Sequence, residues 1–123
     1  MALPDLKPVS RKYVWAYHDN VTTPGSAFAV APFKGRIVKA GTVIYNATTS
    51  ADTNFTFEIN GTAVTGLAWT ITTSGSAAGD VDSAVPTSDA LSLVKEGDTI
   101  EWVSDGGGAT TTPAMCWAEI EMN

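Results

Sequence analysis

Apolar and polar residues alternate in several short segments of the chain, and this period of two predicts β-strands with one buried face. Between residues 53 and 59, three large apolar side chains, Phe55, Phe57 and Ile59, are separated by polar residues. Ile100 and Trp102 flank Glu101 in the same way. Directly after Ile59, Asn60-Gly61 supplies two residues that tolerate positive φ, so we predict a tight hairpin with a type I′ turn at this position.

The last segment, residues 114–122, alternates in the same way. Four of its side chains should face the core: Cys116, Ala118, Ile120 and Met122. Trp117 then falls on the opposite, acidic face beside Glu119 and Glu121. A large aromatic ring on a polar face needs another surface to cover it, so Trp117 is our candidate oligomer contact.

Short runs rich in β-branched and aromatic residues recur along the whole chain between clusters of Gly, Pro, Asn, Asp and Ser, and helical periodicity is almost absent. We therefore predict an all-β fold, an antiparallel β-sandwich. The expected strands lie at residues 13–17, 27–31, 36–45, 53–59, 62–64, 69–73, 80–83, 91–94, 99–104 and 114–122.

With 123 residues and 12.8 kDa, the chain has room for one domain. We place that domain at residues 13–123, preceded by an extended arm at residues 1–12 that contains Pro4 and Pro8. The chain is 44% hydrophobic, which is too apolar for a disordered protein, and it has no apolar run of about 18 residues that could span a bilayer. Its start lacks the apolar region of a secretory signal, so we expect no export and no membrane partner.

Charge is unevenly distributed. Residues 1–39 hold six basic and two acidic side chains, whereas the rest of the chain holds one basic and eleven acidic ones. The net charge of −6 argues against nucleic acid as a partner. A basic end on an acidic body suggests docking to an acidic surface, and Lys7, Arg11 and Lys12 are the candidate contacts in the arm. The alternative is a chance excess of basic residues on a solvated face.

Catalytic chemistry is poorly represented, and we expect neither an enzyme nor a bound metal or cofactor. His18 is the one histidine and is expected to be a hydrogen-bonded turn residue. Cys116 is the one cysteine and resembles a small buried hydrophobe. Asp80 and Asp82 share a face if extended and could serve hydrolysis or calcium binding, but solvated acids are the favoured interpretation. Two loops of small residues, 74–79 and 106–112, are either binding loops or plain connections.

Three stretches of the chain together resemble a known family: INGTAVTG from Ile59, SGSAAGDVDSAVPTSD from Ser74 and VKEGDTIE from Val94. They are similar to β-sandwich modules of tailed-bacteriophage virions, found among head decoration (cement) proteins and related head or tail fibre domains. The resemblance covers about residues 36–122. It implies a jelly-roll-like sandwich, often trimeric, with no catalytic residues to carry over.

We therefore expect a structural virion protein on the outer capsid surface, with the major capsid protein and further copies of itself as partners. Decoration would add buried interface between capsomers and so stiffen the shell. The alternative is a carbohydrate- or host-surface-binding module of a phage fibre, in which Trp69, Trp102 or Trp117 would stack against a sugar. Tryptophans in β proteins are more often part of the core.

Overall fold

The structure is a computed structural model, and it describes residues 10–122. Nine strands and one turn of 3-10 helix at Asp89–Leu91 make up its regular elements. The strands are β1 (Arg11–His18), β2 (Gly25–Val30), β3 (Gly35–Ile44), β4 (Thr53–Ile59), β5 (Thr62–Ile71), β6 (Val81–Ala84), β7 (Leu93–Val94), β8 (Thr99–Ser104) and β9 (Ala114–Met122). Among the described residues, no helix has the length and apolar character needed to cross a membrane.

Two antiparallel sheets form a β-sandwich, which confirms the predicted fold class. The first sheet has the order β1-β9-β3-β6, with β7 also paired to β3, and the second has the order β2-β8-β4-β5. Pairing is nested outward from the β4–β5 hairpin: β3 pairs with β6, β2 with β8, and β1 with β9. Successive pairs alternate between the two sheets, which is the path of a rolled-up hairpin and gives the sandwich its jelly-roll-like topology.

The two sheets contribute side chains of different size to the core between them. The second sheet supplies large rings, including Phe55, Phe57 and Trp102, which are fully buried. The first sheet faces them largely with small residues: Ala16, Ala40, Ala114, Cys116 and Ala118. Large side chains on one layer and small ones on the facing layer allow the two sheets to pack closely. This division leaves the bulkiest side chains of the first sheet on its outer face.

Buried indole groups are hydrogen-bonded across the sandwich. Trp69 Nε1 donates to Thr42 Oγ1 at 3.1 Å, and Trp102 Nε1 donates to the carbonyl oxygen of Trp117 at 3.1 Å. A buried indole N–H without a partner would cost stability, so these bonds fix the position of each ring. Both tryptophans therefore belong to the core.

The strands match the predicted ones to within one or two residues at most ends, and three differences affect the interpretation. β1 begins at Arg11, so the last two residues assigned to the arm pair with β9. The separate strands expected at 62–64 and 69–73 form the single strand β5, which continues through Gly66 in a positive-φ conformation. The segment 91–94 is a strand only at Leu93–Val94, because the 3-10 turn takes up Leu91. The Asn60-Gly61 turn is confirmed, with φ values of 49° and 83°.

Candidate interaction surface on the outer face of the first sheet

Strand β1 carries a row of exposed aromatic side chains. Tyr13, Trp15 and Tyr17 are 54%, 53% and 58% exposed, while the residues between them point toward the core. The rings of Tyr13 and Trp15 lie 5.8 Å apart between centroids, with their planes at 30°. Three neighbouring aromatic side chains in water form an uncommon surface for a small domain, and such surfaces mark contact sites.

Apolar and aromatic side chains continue from this row across the outer face of the first sheet. In the strand register, Trp15 lies opposite Trp117 of β9, which lies opposite Gly41 of β3, and Tyr17 lies opposite Met115. Tyr45 follows β3 and brings its ring within 6.4 Å of that of Tyr17. We call this surface the aromatic patch and define it by Tyr13, Trp15, Tyr17, Val43, Tyr45, Met115 and Trp117.

The other half of the same face is charged. Arg11 contacts Glu121 at 2.9 Å and Glu119 at 3.4 Å. Arg36 contacts the other carboxylate oxygen of Glu121 at 3.3 Å and Asp89 at 2.9 Å. Glu121 therefore links two arginines that come from different strands. The hydrogen bond with Glu121 is the main reason why the pKa of Arg11 is raised above its ordinary value.

Trp117 lies on the outer face as predicted, but the chain itself covers it. It is 8% exposed, and the ring of Tyr13 approaches it edge-on with centroids 5.9 Å apart. Gly41 provides the space below it, because a Cβ at Gly41 would lie 2.7 Å from Cζ2 of the indole. Trp117 therefore does not need a second copy of the protein to cover it.

The exposed tryptophan is Trp15, which sequence reasoning did not select. Trp69, Trp102 and Trp117, the tryptophans expected to stack on a sugar in the alternative function, are all buried. The spacing of Tyr13, Trp15 and Tyr17 was a usable signal, since residues at i, i+2 and i+4 share one strand face. It was ambiguous because Val14 and Ala16 between them are also apolar, so either face of β1 could have been the inner one.

The candidate arm residues lie in different surroundings. Lys7 is outside the described residues, as is the arm up to residue 9. Arg11 and Lys12 are the first two residues of β1, opposite Glu121 and Ile120. Arg11 is held by the two glutamates, whereas no ion pair is formed by Lys12 with any residue between 10 and 122. Lys12 is exposed, so its charge is accessible to a partner.

The other sequence candidates are separate from the aromatic patch. His18 is buried at 5% exposure with its ring edge-on to Phe55, and no described residue hydrogen-bonds to either ring nitrogen, so it is a core residue rather than the hydrogen-bonded turn residue expected. Cys116 is buried, and desolvation raises the pKa of its thiol to about 12. Burial, with a smaller contribution from Asp80, raises the pKa of Asp82. Within residues 10–122, no group of three potential metal ligands comes together.

The glycine-rich loop at residues 106–108 is packed rather than open. Each of its three glycines has positive φ, and a Cβ on Gly107 would lie 2.5 Å from the carbonyl oxygen of Asp52. The backbone N–H of Gly107 donates to the carbonyl of Thr22 at 3.0 Å. This loop lies between β8 and β9, and its small residues allow close backbone packing against Asp52 and Thr22.

Comparison with known proteins does not add a family. Neither the scan against protein-family models nor the search of curated proteins returns a match to this chain.

Proposed function

We propose that this protein is a structural virion protein that decorates the outer surface of a tailed-phage capsid as an oligomer and stabilises the shell. The observation that carries the proposal is the aromatic patch, whose Tyr13, Trp15 and Tyr17 are more than half exposed. Aromatic residues and methionine are enriched in protein–protein contacts, where desolvation of their apolar surface drives association. The patch is therefore suited to a protein partner.

Two further features support the proposal. The jelly-roll-like sandwich is the fold that the resemblance to decoration proteins implies. The segment at residues 1–10 directly precedes β1, the strand that carries the aromatic row. Lys7 in that segment and Lys12 at the start of β1 would then bind an acidic shell next to an apolar contact made by the patch.

Decoration by this route is a matter of binding free energy. A protein that binds the assembled shell but not its separated subunits stabilises the shell by mass action. Several copies held together by an oligomer would add their contacts without independent loss of translational freedom. The resemblance implies a trimer for that oligomer.

Co-sedimentation with purified empty heads tests this function. We expect the full chain to saturate heads at a fixed ratio, and a variant that lacks residues 1–9 to fold normally but to bind at least about tenfold more weakly. The deletion ends before Ser10 because the carbonyl of Ser10 accepts the N–H of Met122. Retention of full affinity by the deletion variant would contradict the role of the arm. Failure of the full chain to bind heads would contradict decoration itself.

A carbohydrate-binding module is the second candidate, and exposed Trp15 favours it. An indole ring at the surface, with Tyr13 beside it, is a platform on which a sugar ring can stack. Binding of the full chain to a glycan array, lost in Trp15→Ala and retained in Val81→Ala, would favour this function. Saturable binding to heads without glycan binding would favour decoration.

A further inference from the structure

The edges of the two sheets are not equally protected. An edge strand presents unpaired N–H and C=O groups that can pair with another chain. Strand β6 is only four residues long. Strand β5 is partly covered, because the N–H of Thr87 donates to the carbonyl of Thr65 at 2.9 Å and residues 85–87 pack against Gly66. Strand β2 has six residues and begins with Gly25.

Strand β1 is the longest uncovered edge among residues 10–122. It has eight residues, contains neither glycine nor proline, and keeps an unbroken register with β9 over its whole length. No other described strand pairs with it. Its charged residues, Arg11 and Lys12, lie at one end, so the segment from Tyr13 to His18 has none of the charges, bulges or prolines that usually block edge pairing.

The sequence of β1 is complementary to itself in one antiparallel register. Side chains must keep their faces, so the numbers of two paired residues must have an even sum. With a two-fold axis at Trp15, this residue lies opposite Trp15 of the second copy and Tyr13 lies opposite Tyr17. The register also brings Arg11 opposite Asp19, which is exposed just beyond the end of β1. Opposite charges and aromatic pairs at directly opposed positions stabilise an antiparallel pair.

We propose that β1 pairs antiparallel with β1 of a second copy about a two-fold axis at Trp15, which joins the first sheets of two copies into one continuous sheet. The inference rests on the proposed function in one respect, that the protein acts as an oligomer. It makes that oligomer a dimer instead of the trimer that the resemblance implies. The pairing would form roughly one backbone hydrogen bond per paired residue. It would also align six exposed rings in two adjacent rows, so that the dimer presents a doubled aromatic patch to a capsid.

Sedimentation equilibrium of the full chain tests the pairing, with a monomer–dimer equilibrium as the expected result. Trp15→Lys would place two like charges directly opposite each other at the axis, and we expect it to raise the dimer dissociation constant at least about tenfold. Val81→Lys is the matched control: Val81 is equally exposed on the same face but lies on β6, at the opposite edge of the sheet. We expect this control to dimerise normally.

Cysteine cross-linking tests the register in the folded dimer. Trp15→Cys should form a disulfide-linked dimer under mild oxidation, whereas Tyr13→Cys should not, because its partner position is Tyr17. The native Cys116 is fully buried and should not interfere. Cross-linking at position 13 but not at position 15 would overturn the proposed register.

Three results would overturn the pairing: a chain that stays monomeric at all concentrations, a trimer, or equal weakening by Trp15→Lys and Val81→Lys. These outcomes are distinguishable from failure of the proposed function. A monomer or trimer that still saturates heads would remove the β1 pairing and leave decoration intact. A dimer that ignores heads would do the reverse.

Discussion

Single residues in this protein are constrained by backbone atoms that approach them from distant parts of the chain. Gly107 is the clearest case, because it combines a φ of 130° with a carbonyl oxygen of Asp52 where a side chain would begin. Gly75 also has positive φ, 71°, but nothing lies within 4 Å of the position of its Cβ. Substitutions at these two positions therefore distinguish the cost of positive φ alone from the added cost of a steric clash.

Gly107→Ala should lower the free energy of unfolding by more than about 2 kcal/mol, because the new methyl group adds a clash to the cost of positive φ. Gly75→Ala should lose only about 1 kcal/mol, the left-handed penalty alone. Urea denaturation followed by tryptophan fluorescence measures both. Equal losses in the two variants would show that the loop at 106–108 can move to admit a side chain.

Asp98 links stability to pH at the turn before β8. Its carboxylate accepts the backbone N–H of Lys95 at 2.8 Å, and this bond, with a contribution from Asn60, lowers the pKa of Asp98 below its ordinary 3.8. A lowered pKa stabilises the fold above the unfolded-state value, and the stabilisation is lost as pH falls through the folded-state value.

Asp98→Asn should therefore reduce the urea midpoint at pH 7, and the difference from the unmodified protein should shrink below about pH 3.8. Glu96→Gln is the control, because the side chain of Glu96 lies in the same turn, is exposed, and forms no hydrogen bond with any described residue. A difference that stays constant down to pH 2 would contradict the assigned hydrogen bond.

At the scale of elements, the first sheet has two kinds of tryptophan on one face. Trp117 on β9 is covered by Tyr13 and occupies the space that the missing side chain of Gly41 leaves. Trp15 on the edge strand β1 keeps half of its surface in water. The central position of β9, with a neighbour on each side, accounts for the difference. Burial in this sheet is thus set by the position of a strand as much as by residue type.

Trp117→Ala should cost about 3 kcal/mol of unfolding free energy, because it removes a buried ring and leaves a cavity over Gly41. Trp15→Ala should cost less than about 1 kcal/mol, because its ring is already half in water. Thermal and urea unfolding of the two variants provide the comparison. A Trp117→Ala variant as stable as the unmodified protein would show that the ring is not part of the packed fold.

At the scale of the whole molecule, folding mixes charges that are segregated in sequence. Arg11 and Arg36, both from the basic first third of the chain, meet Glu121 near its end, and Asp89 lies on the far side of Arg36. Fewer unpaired basic side chains therefore remain near β1 than the number of basic residues in the first third of the sequence suggests. Lys12 is one of them.

Attachment to heads should weaken as sodium chloride is raised from about 50 to 500 mM, because added salt shortens the Debye length and so screens the attraction between exposed charges. Lys12→Glu should weaken attachment and reduce this salt dependence. Lys95→Glu, on the turn between β7 and β8, should leave both unchanged. Co-sedimentation at several salt concentrations supplies the measurement, and equal effects of the two substitutions would indicate a general charge effect instead.

The sequence by itself determined the features that depend on neighbours along the chain. The alternation at Phe55, Phe57 and Ile59 predicted a strand and its buried face, and Asn60-Gly61 predicted the turn after it. These predictions succeeded because a strand has a period of two and because few residues tolerate positive φ. The all-β sandwich followed from many such local signals.

Only the tertiary structure decided which side chains are covered. Arg11 and Glu121 are 110 residues apart in sequence, and their pairing depends on the register of β1 against β9. The same register brings Tyr13 over Trp117 and leaves Trp15 in water. No local pattern encodes what lies opposite a residue across a sheet. For that reason the sequence alone did not show that Trp15, and not Trp117, is the exposed ring.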